Sequence, residues 1–164
     1  MMLKNRLAVS CASLLCLFAL NGALASDDPT DRPIARLRQV RSLRCTYDTE
    51  ATTAFKPEGR KIVTDHDIMV VIYDNIDVGH GTARVVYVKG VAPGAGDVTV
   101  RWNGNALWFT EIPQSNAAVS NAILTTVFAR YVEGTKDFIA LDSRHSLAVI
   151  VAGSMSSGTC TELH

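Results

Sequence analysis

The stretch Asp97-Val-Thr-Val-Arg-Trp102-Asn-Gly-Asn-Ala106-Leu-Trp-Phe-Thr-Glu-Ile112 decides the fold class. Val98, Val100 and Trp102 alternate with Thr99 and Arg101, a period of two that puts the apolar side chains on one face of an extended strand. Asn103-Gly104 follows, a strong hairpin signal, because a type I′ turn needs positive φ at both central residues. A second strand over Ala106–Ile112 completes an antiparallel pair.

The same texture extends in both directions. Runs of Val, Ile, Thr and aromatics are broken by Gly, Asn, Asp and Pro. They predict strands near Leu43–Thr49, Ile68–Tyr73, Thr82–Lys89, Phe138–His145, Leu147–Ala152 and Ser157–Thr161. Glu133-Gly134-Thr135-Lys136 marks another hairpin, and Ala92-Pro93-Gly94-Ala95-Gly96 reads as a loop outside any strand. Ala122–Tyr131 is open to two readings. Its length and the cap-like Asn121 suit a helix, whereas Thr125, Thr126, Val127 and Phe128 are poor helix formers and favour a long strand.

The N-terminus has a different character. Lys4 and Arg6 precede a largely apolar run from Leu7 to Leu20, and Ala23-Leu24-Ala25 ends it with small residues at the cleavage positions. Residues 1–25 are expected to be a cleaved signal peptide. The run is too short for a membrane anchor, which takes about 20 apolar residues, so no integral segment is expected after cleavage. Cleavage would leave 139 residues with 14 basic and 16 acidic side chains. That balance argues against a nucleic-acid partner, which needs a concentrated basic face. It also removes Cys11 and Cys16, leaving Cys45 and Cys160. In an oxidising compartment that pair is expected to form a disulfide; two free thiols are the alternative.

Residues 26–42 begin with Asp-Asp-Pro-Thr-Asp-Arg-Pro and read as a flexible N-terminal arm, a tether whose second half has Ile34 and Leu37 at helical spacing. Residues 43–164 are then one all-β domain. An antiparallel meander of about eight strands must manage its two edges, and closure into a calycin-like barrel removes them. In such a barrel the first and last strands are neighbours, so Cys45 and Cys160 would staple the seam. A sandwich whose terminal strands pack together would satisfy the same pair.

Several short patterns occur together. They are Tyr73-Asp-Asn-Ile-Asp-Val-Gly-His-Gly-Thr-Ala-Arg84, Leu107-Trp-Phe-Thr-Glu111, Thr125-Thr-Val-Phe128, Phe138-Ile-Ala-Leu-Asp-Ser-Arg-His145 and Gly158-Thr-Cys160. Their order and spacing over Leu43–Glu162 resemble a family of small secreted proteobacterial proteins of uncharacterised function. The resemblance implies a secreted β domain with a terminal cysteine pair, and it carries no activity, cofactor or catalytic residue. The apolar and then Ser-rich run from Leu147 to Gly158 departs from that family's Pro-containing loop.

Three constellations could carry chemistry. Asp142, Ser143, Arg144 and His145 contain a Ser–His pair, but residues two apart on a strand are separated by roughly 7 Å at the backbone. No Gly-x-Ser-x-Gly elbow is present, so an Asp142–Arg144 ion pair at a strand end is the simpler reading. Asp65, His66, Asp67, Asp74, Asp77 and His80 have metal-ligand chemistry without any metal-loop spacing, and no metal site is expected. Trp102, Trp108 and Tyr87 could line a ligand cavity or fill a core. Arg84, on a strand of Val and Tyr, would need an acid such as Asp77 if it pointed inward. The tentative ligand-binding set is therefore Trp102, Trp108, Tyr87, Arg84, Arg144 and His145.

These observations lead to an exported, periplasmic or secreted, non-enzymatic envelope protein that binds a small apolar ligand in a β-barrel. The alternative partner is an envelope protein, with the chain acting as a protein-binding module such as a periplasmic hydrolase inhibitor and Asp27–Arg41 as its capturing arm. An enzyme using Asp142, Arg144 and His145 is the third reading.

Overall fold

The computed structural model describes residues 31–56, 58–90, 92–112, 120–147 and 151–164. The expected signal peptide, residues 1–25, and residues 26–30 of the expected arm lie outside the described residues. Helix α1 (Asp31–Gln39) leads into nine strands: β1 (Leu43–Lys56), β2 (Gly59–Asp65), β3 (Met69–Asp77), β4 (Thr82–Lys89), β5 (Gly94–Trp102), β6 (Ala106–Glu111), β7 (Ser120–Tyr131), β8 (Phe138–Leu147) and β9 (Val151–Glu162). Each strand from β3 to β9 pairs antiparallel with the next, β3 returns to β1, and β9 closes on β1. Eight strands thus form a closed up-and-down barrel, and β2 is an extra strand on the outer part of β1.

Closure follows from the length of β1. Its first half, Leu43–Tyr47, pairs with β3, and its second half, Glu50–Lys56, pairs with β2. On its other side it pairs with β9 along nearly its whole length, from Leu43↔Glu162 to Ala54↔Ala152. The register aligns Cys45 with Cys160, and the two are joined by a disulfide across the seam. A bulge between Tyr47 and Thr49 shifts the alternation, so Leu43, Cys45 and Tyr47 face inward before it and Glu50, Thr52 and Ala54 after it. Gly158 lies opposite Tyr47, and a Cβ there would overlap the Thr46 carbonyl and the Tyr47 Cα. Close approach of two backbones therefore explains a glycine in Gly158-Thr-Cys160.

One end of the barrel is sealed. Pro33 sits in the first turn of α1, where its missing N–H costs nothing, and Leu37 and Val40 are completely buried with Leu43 beneath them. Arg36 Nε bonds the Glu162 carboxylate at 2.6 Å. Arg41 Nη1 donates to the Ile76 carbonyl, and Ile76 N–H donates to the Arg41 carbonyl, both at 3.0 Å. The β3 bulge that allows this exchange holds Asn75 at φ 51°. The segment read as a flexible tether is thus partly a helix docked on the barrel, because Leu37 and Val40 share the face that meets the exposed ends of the strands.

Other expectations are corrected too. β1 runs seven residues past Thr49, and β2 went unread because all seven of its residues are exposed, which erases alternation. Residues 148–150 of the strand expected over Leu147–Ala152 lie outside the described residues; Leu147 ends β8, and β9 runs unbroken from Val151 through Ser157–Thr161. The Ala92–Gly96 loop ends at Pro93, and Gly94, Ala95 and Gly96 pair with Tyr87, Val86 and Val85. Asn103 N–H bonds the Ala106 carbonyl, so the two central residues of the turn are Gly104 and Asn105; only Gly104 has positive φ, 96°, so the turn is not type I′. Ala122–Tyr131 is a strand, paired on both sides. The Glu133–Lys136 hairpin forms, with Gly134 at φ 75°.

Candidate functional site

Alternation and register divide the barrel interior into two zones. From α1 to mid-barrel it is filled by Leu43, Val71, Val85, Val100, Leu107, Phe109, Val127 and Phe138, all buried. Tyr73 stacks on Phe109 with ring centroids 4.1 Å apart. This packing leaves the sealed half as core, so Trp102, half-buried against it beside Arg38, Arg41 and Val78, belongs to the helix end.

Toward the other end the inward positions turn polar. Asp142 on β8 faces inward and is 1% exposed. Arg144 Nε bonds its Oδ1 at 2.7 Å, and the Thr125 hydroxyl on β7 donates to its Oδ2 at 2.7 Å. Since Thr125 spends its only proton there, the Tyr73 hydroxyl, 2.6 Å away, donates to Thr125. The expected Asp142–Arg144 pair therefore exists inside the lumen, with Asp142 buried, Arg144 partly buried, and each Asp142 oxygen holding one hydrogen bond.

Arg144 is only partly satisfied. Its guanidinium carbon lies 5.7 Å from the Tyr87 ring centre, and Nη2 contacts the Met69 sulfur at 2.7 Å, a poor acceptor. Burial disfavours the Arg144 charge, but Asp142 outweighs it and raises the guanidinium pKa further. The Tyr87 hydroxyl donates to Glu111 Oε2 at 2.5 Å. The buried Tyr47 hydroxyl lies near Thr125, Asp142 and Arg144; it approaches Thr125 but makes no well-formed hydrogen bond. An unpaired buried hydroxyl costs about 1–3 kcal/mol.

Burial pushes the pKa of Tyr47, Tyr73 and Tyr87 up. For Tyr47 and Tyr73 the Asp142 carboxylate adds to this, and for Tyr87 the bond to Glu111 does. All three phenols are neutral at physiological pH. Beside Tyr87 the wall is bare: Gly94 and Gly96 occupy inward positions of β5, and a Cβ at either would meet its nearest neighbour only at 4.0 Å.

The structure thus brings Tyr87 and Arg144 together and separates them from the other four residues singled out in the sequence. Trp102 is at the sealed end. Trp108 is 42% exposed on the outer face, between Arg101 and Thr126. Arg84 is also outward and exposed, opposite Asp97 across β4 and β5, so it needs no inward partner such as Asp77. His145 is outward, and its Nε2 lies 3.1 Å from Ser143 Oγ. That contact is closer than strand geometry predicted, because the two side chains lean toward each other. It still lacks an orienting carboxylate, since Asp142 points through the opposite face to Thr125 and Arg144.

The acidic and histidine cluster separates into two groups at opposite ends of β3. Asp65 accepts the His66 backbone N–H, while Asp77 binds the His80 ring at 2.8 Å, which lowers the Asp77 pKa. Among the described residues no three His, Cys, Asp or Glu side chains converge as metal ligands.

Tyr47, Tyr73, Thr125, Glu111 and Met69 were missed in the sequence. Their signal was parity: Tyr47 lies two residues from Cys45 and Thr125 two from Val127, so inward cysteine and valine imply an inward tyrosine and threonine.

No family model, curated protein or solved structure matches the chain. The likeness to small secreted proteobacterial proteins therefore rests on the quoted patterns alone. No helix among the described residues is long and apolar enough to cross a membrane.

Proposed function

We propose that the protein is an exported, non-enzymatic binding domain that takes a small uncharged amphiphile at the polar end of its barrel. The observation that carries this reading is the partly satisfied polar cluster in the lumen: Arg144 turned to a thioether and Tyr47 without a well-formed hydrogen bond. A ligand oxygen that accepts from Arg144 would replace the weak sulfur contact. Asp142 already neutralises Arg144, and Glu111 sits on Tyr87, so a second anion would find no net positive charge. A hydroxyl or carbonyl head group suits the cluster better than a carboxylate. Its apolar body would lie against Tyr87 and Met69 along the bare wall at Gly94 and Gly96. The packed core below limits how deep it can enter.

This narrows the apolar-ligand expectation to a ligand with one polar group. Export, to the periplasm or beyond, is supported by the N-terminal segment and by the Cys45–Cys160 disulfide, which oxidising compartments favour. A hydrolase inhibitor working through Asp27–Arg41 loses its motive, because residues 31–39 are helical and Leu37 and Val40 are buried.

Native mass spectrometry of protein purified from its own host tests the reading. The expected spectrum carries a small-molecule adduct that Gly96→Leu, which fills the bare wall, removes without lowering the melting temperature. Adduct-free protein, or an adduct that survives Gly96→Leu, would overturn it.

A further inference from the structure

β2 departs from the rest of the fold. Among the described residues it pairs with β1 alone, so its second edge has no strand partner there, and every other residue turns its backbone N–H and C=O away from β1. Natural edge strands are blunted by proline, bulges, central charges or a covering element. β2 (Gly59-Arg-Lys-Ile-Val-Thr-Asp65) has none at its centre: Ile62, Val63 and Thr64 are uncharged, β-branched and register-regular. Ile62 is 63% exposed, Val63 46%, and Phe55 on the same hairpin 53%.

The charges flanking that centre select an occupant. Lys61 and Asp65 lie on one face of β2, two residues either side of Val63. In an antiparallel pairing of two β2 strands about a two-fold axis through Val63, Lys61 of one copy stands opposite Asp65 of the other. Symmetry makes this contact twice. Val63 meets Val63 between the two ion pairs, and on the opposite face Ile62 stands opposite Thr64. A shift to an axis through Ile62 would lose both ion pairs and place Lys61 against Val63. The strand is thus self-complementary in one register, as an isologous two-fold interface requires.

We propose that β2 is a homodimerisation edge, joining two barrels through an antiparallel β2–β2 pairing centred on Val63. The two sheets become continuous across the axis, and the exposed edge is removed from solvent. Pairing occurs through the extra strand, so the eight barrel strands keep their own partners. This proposal is independent of the ligand reading, which rests on residues inside the lumen.

Sedimentation equilibrium of the full mature chain tests it by charge exchange. The wild type is expected to show twice the monomer mass at tens of micromolar. Lys61→Asp sets Asp against Asp twice, and Asp65→Lys sets Lys against Lys twice; each should weaken dimerisation roughly tenfold or more. The combined Lys61→Asp, Asp65→Lys variant restores opposite charges and should return the wild-type mass. Ile62→Pro removes an edge N–H and should leave a monomer, with circular dichroism reporting that the barrel is still folded. A monomeric wild type, a dimer indifferent to both single exchanges, or single exchanges that the double variant fails to rescue would overturn the proposal. Occupation of the edge by a different protein would appear as a monomer alone and counts against it.

Discussion

The two ends of the barrel are built from opposite chemistries. At the α1 end, Leu37, Val40 and Leu43 continue the apolar core outward, and Arg36–Glu162 and the Arg41–Ile76 exchange tie the entering and leaving chain together. At the other end the inward positions carry Asp142, Arg144, Tyr87 and Glu111, and two inward positions of β5 have no side chain. The polar end holds buried groups that cost free energy, such as the Tyr47 hydroxyl, and these are the groups the proposed ligand would meet. The disulfide lies between the zones, on the seam where first and last strands meet.

The largest effect that would sharpen this contrast comes from the seam. Replacing Cys45 and Cys160 by Ala releases a cross-link between residues 115 apart in sequence. For a closed loop of about 100 residues the chain-entropy relation gives about 4.7 kcal/mol. Urea denaturation should show a loss of that order; an unchanged midpoint would mean that the strand pairing alone holds the seam.

Alkali is the next probe. Tyr47, Tyr73 and Tyr87 have folded pKa values raised above the ordinary phenol value, chiefly by burial. The folded state therefore holds these protons more tightly than the unfolded state. Their contribution is fully present below about pH 10 and declines as pH rises beyond it. Absorbance at 295 nm should show these three phenols ionising only as the fold is lost. Their free ionisation near pH 10 in folded protein would mean that the lumen is wetter than its packing implies.

Paired truncations compare the sealed end with the extra strand. Leu37→Ala empties a fully buried site at the sealed end and should cost about 2–5 kcal/mol. Val63→Ala on the half-exposed extra strand should change monomer stability by less than about 0.5 kcal/mol. Similar costs at both positions would mean that β2 contributes to the stabilising core as the sealed end does.

Much of the architecture was legible because barrel strands alternate. Val98, Val100 and Trp102 announced β5, and cysteines placed near both ends of the domain announced a seam. What stayed hidden had a physical reason in each case. β2 is exposed on both faces and so carries no period of two. α1 is nine residues long, and its docking depends on strand ends that only the tertiary fold creates. Trp108 and Arg84 were misread because residue type suggests a role while parity sets direction: each lies one residue from buried neighbours, Leu107 and Phe109 for the first, Ala83 and Val85 for the second. The polar cluster was half visible. Asp142 and Arg144 share a face by spacing alone, but their meeting with Thr125, Tyr73 and Tyr87 depends on how barrel closure brings β3, β4, β7 and β8 together.

The central claim is that the polar end of the barrel is the end that meets a ligand. Amide chemical-shift mapping with 1-octanol and, separately, octanoate tests it most directly. The account predicts shifts at Tyr87, Gly94, Gly96 and Arg144 with the alcohol, much weaker ones with the carboxylate, and none at Leu37, Val40 or Trp102. Shifts confined to the α1 end, or stronger binding of octanoate than of 1-octanol, would contradict it.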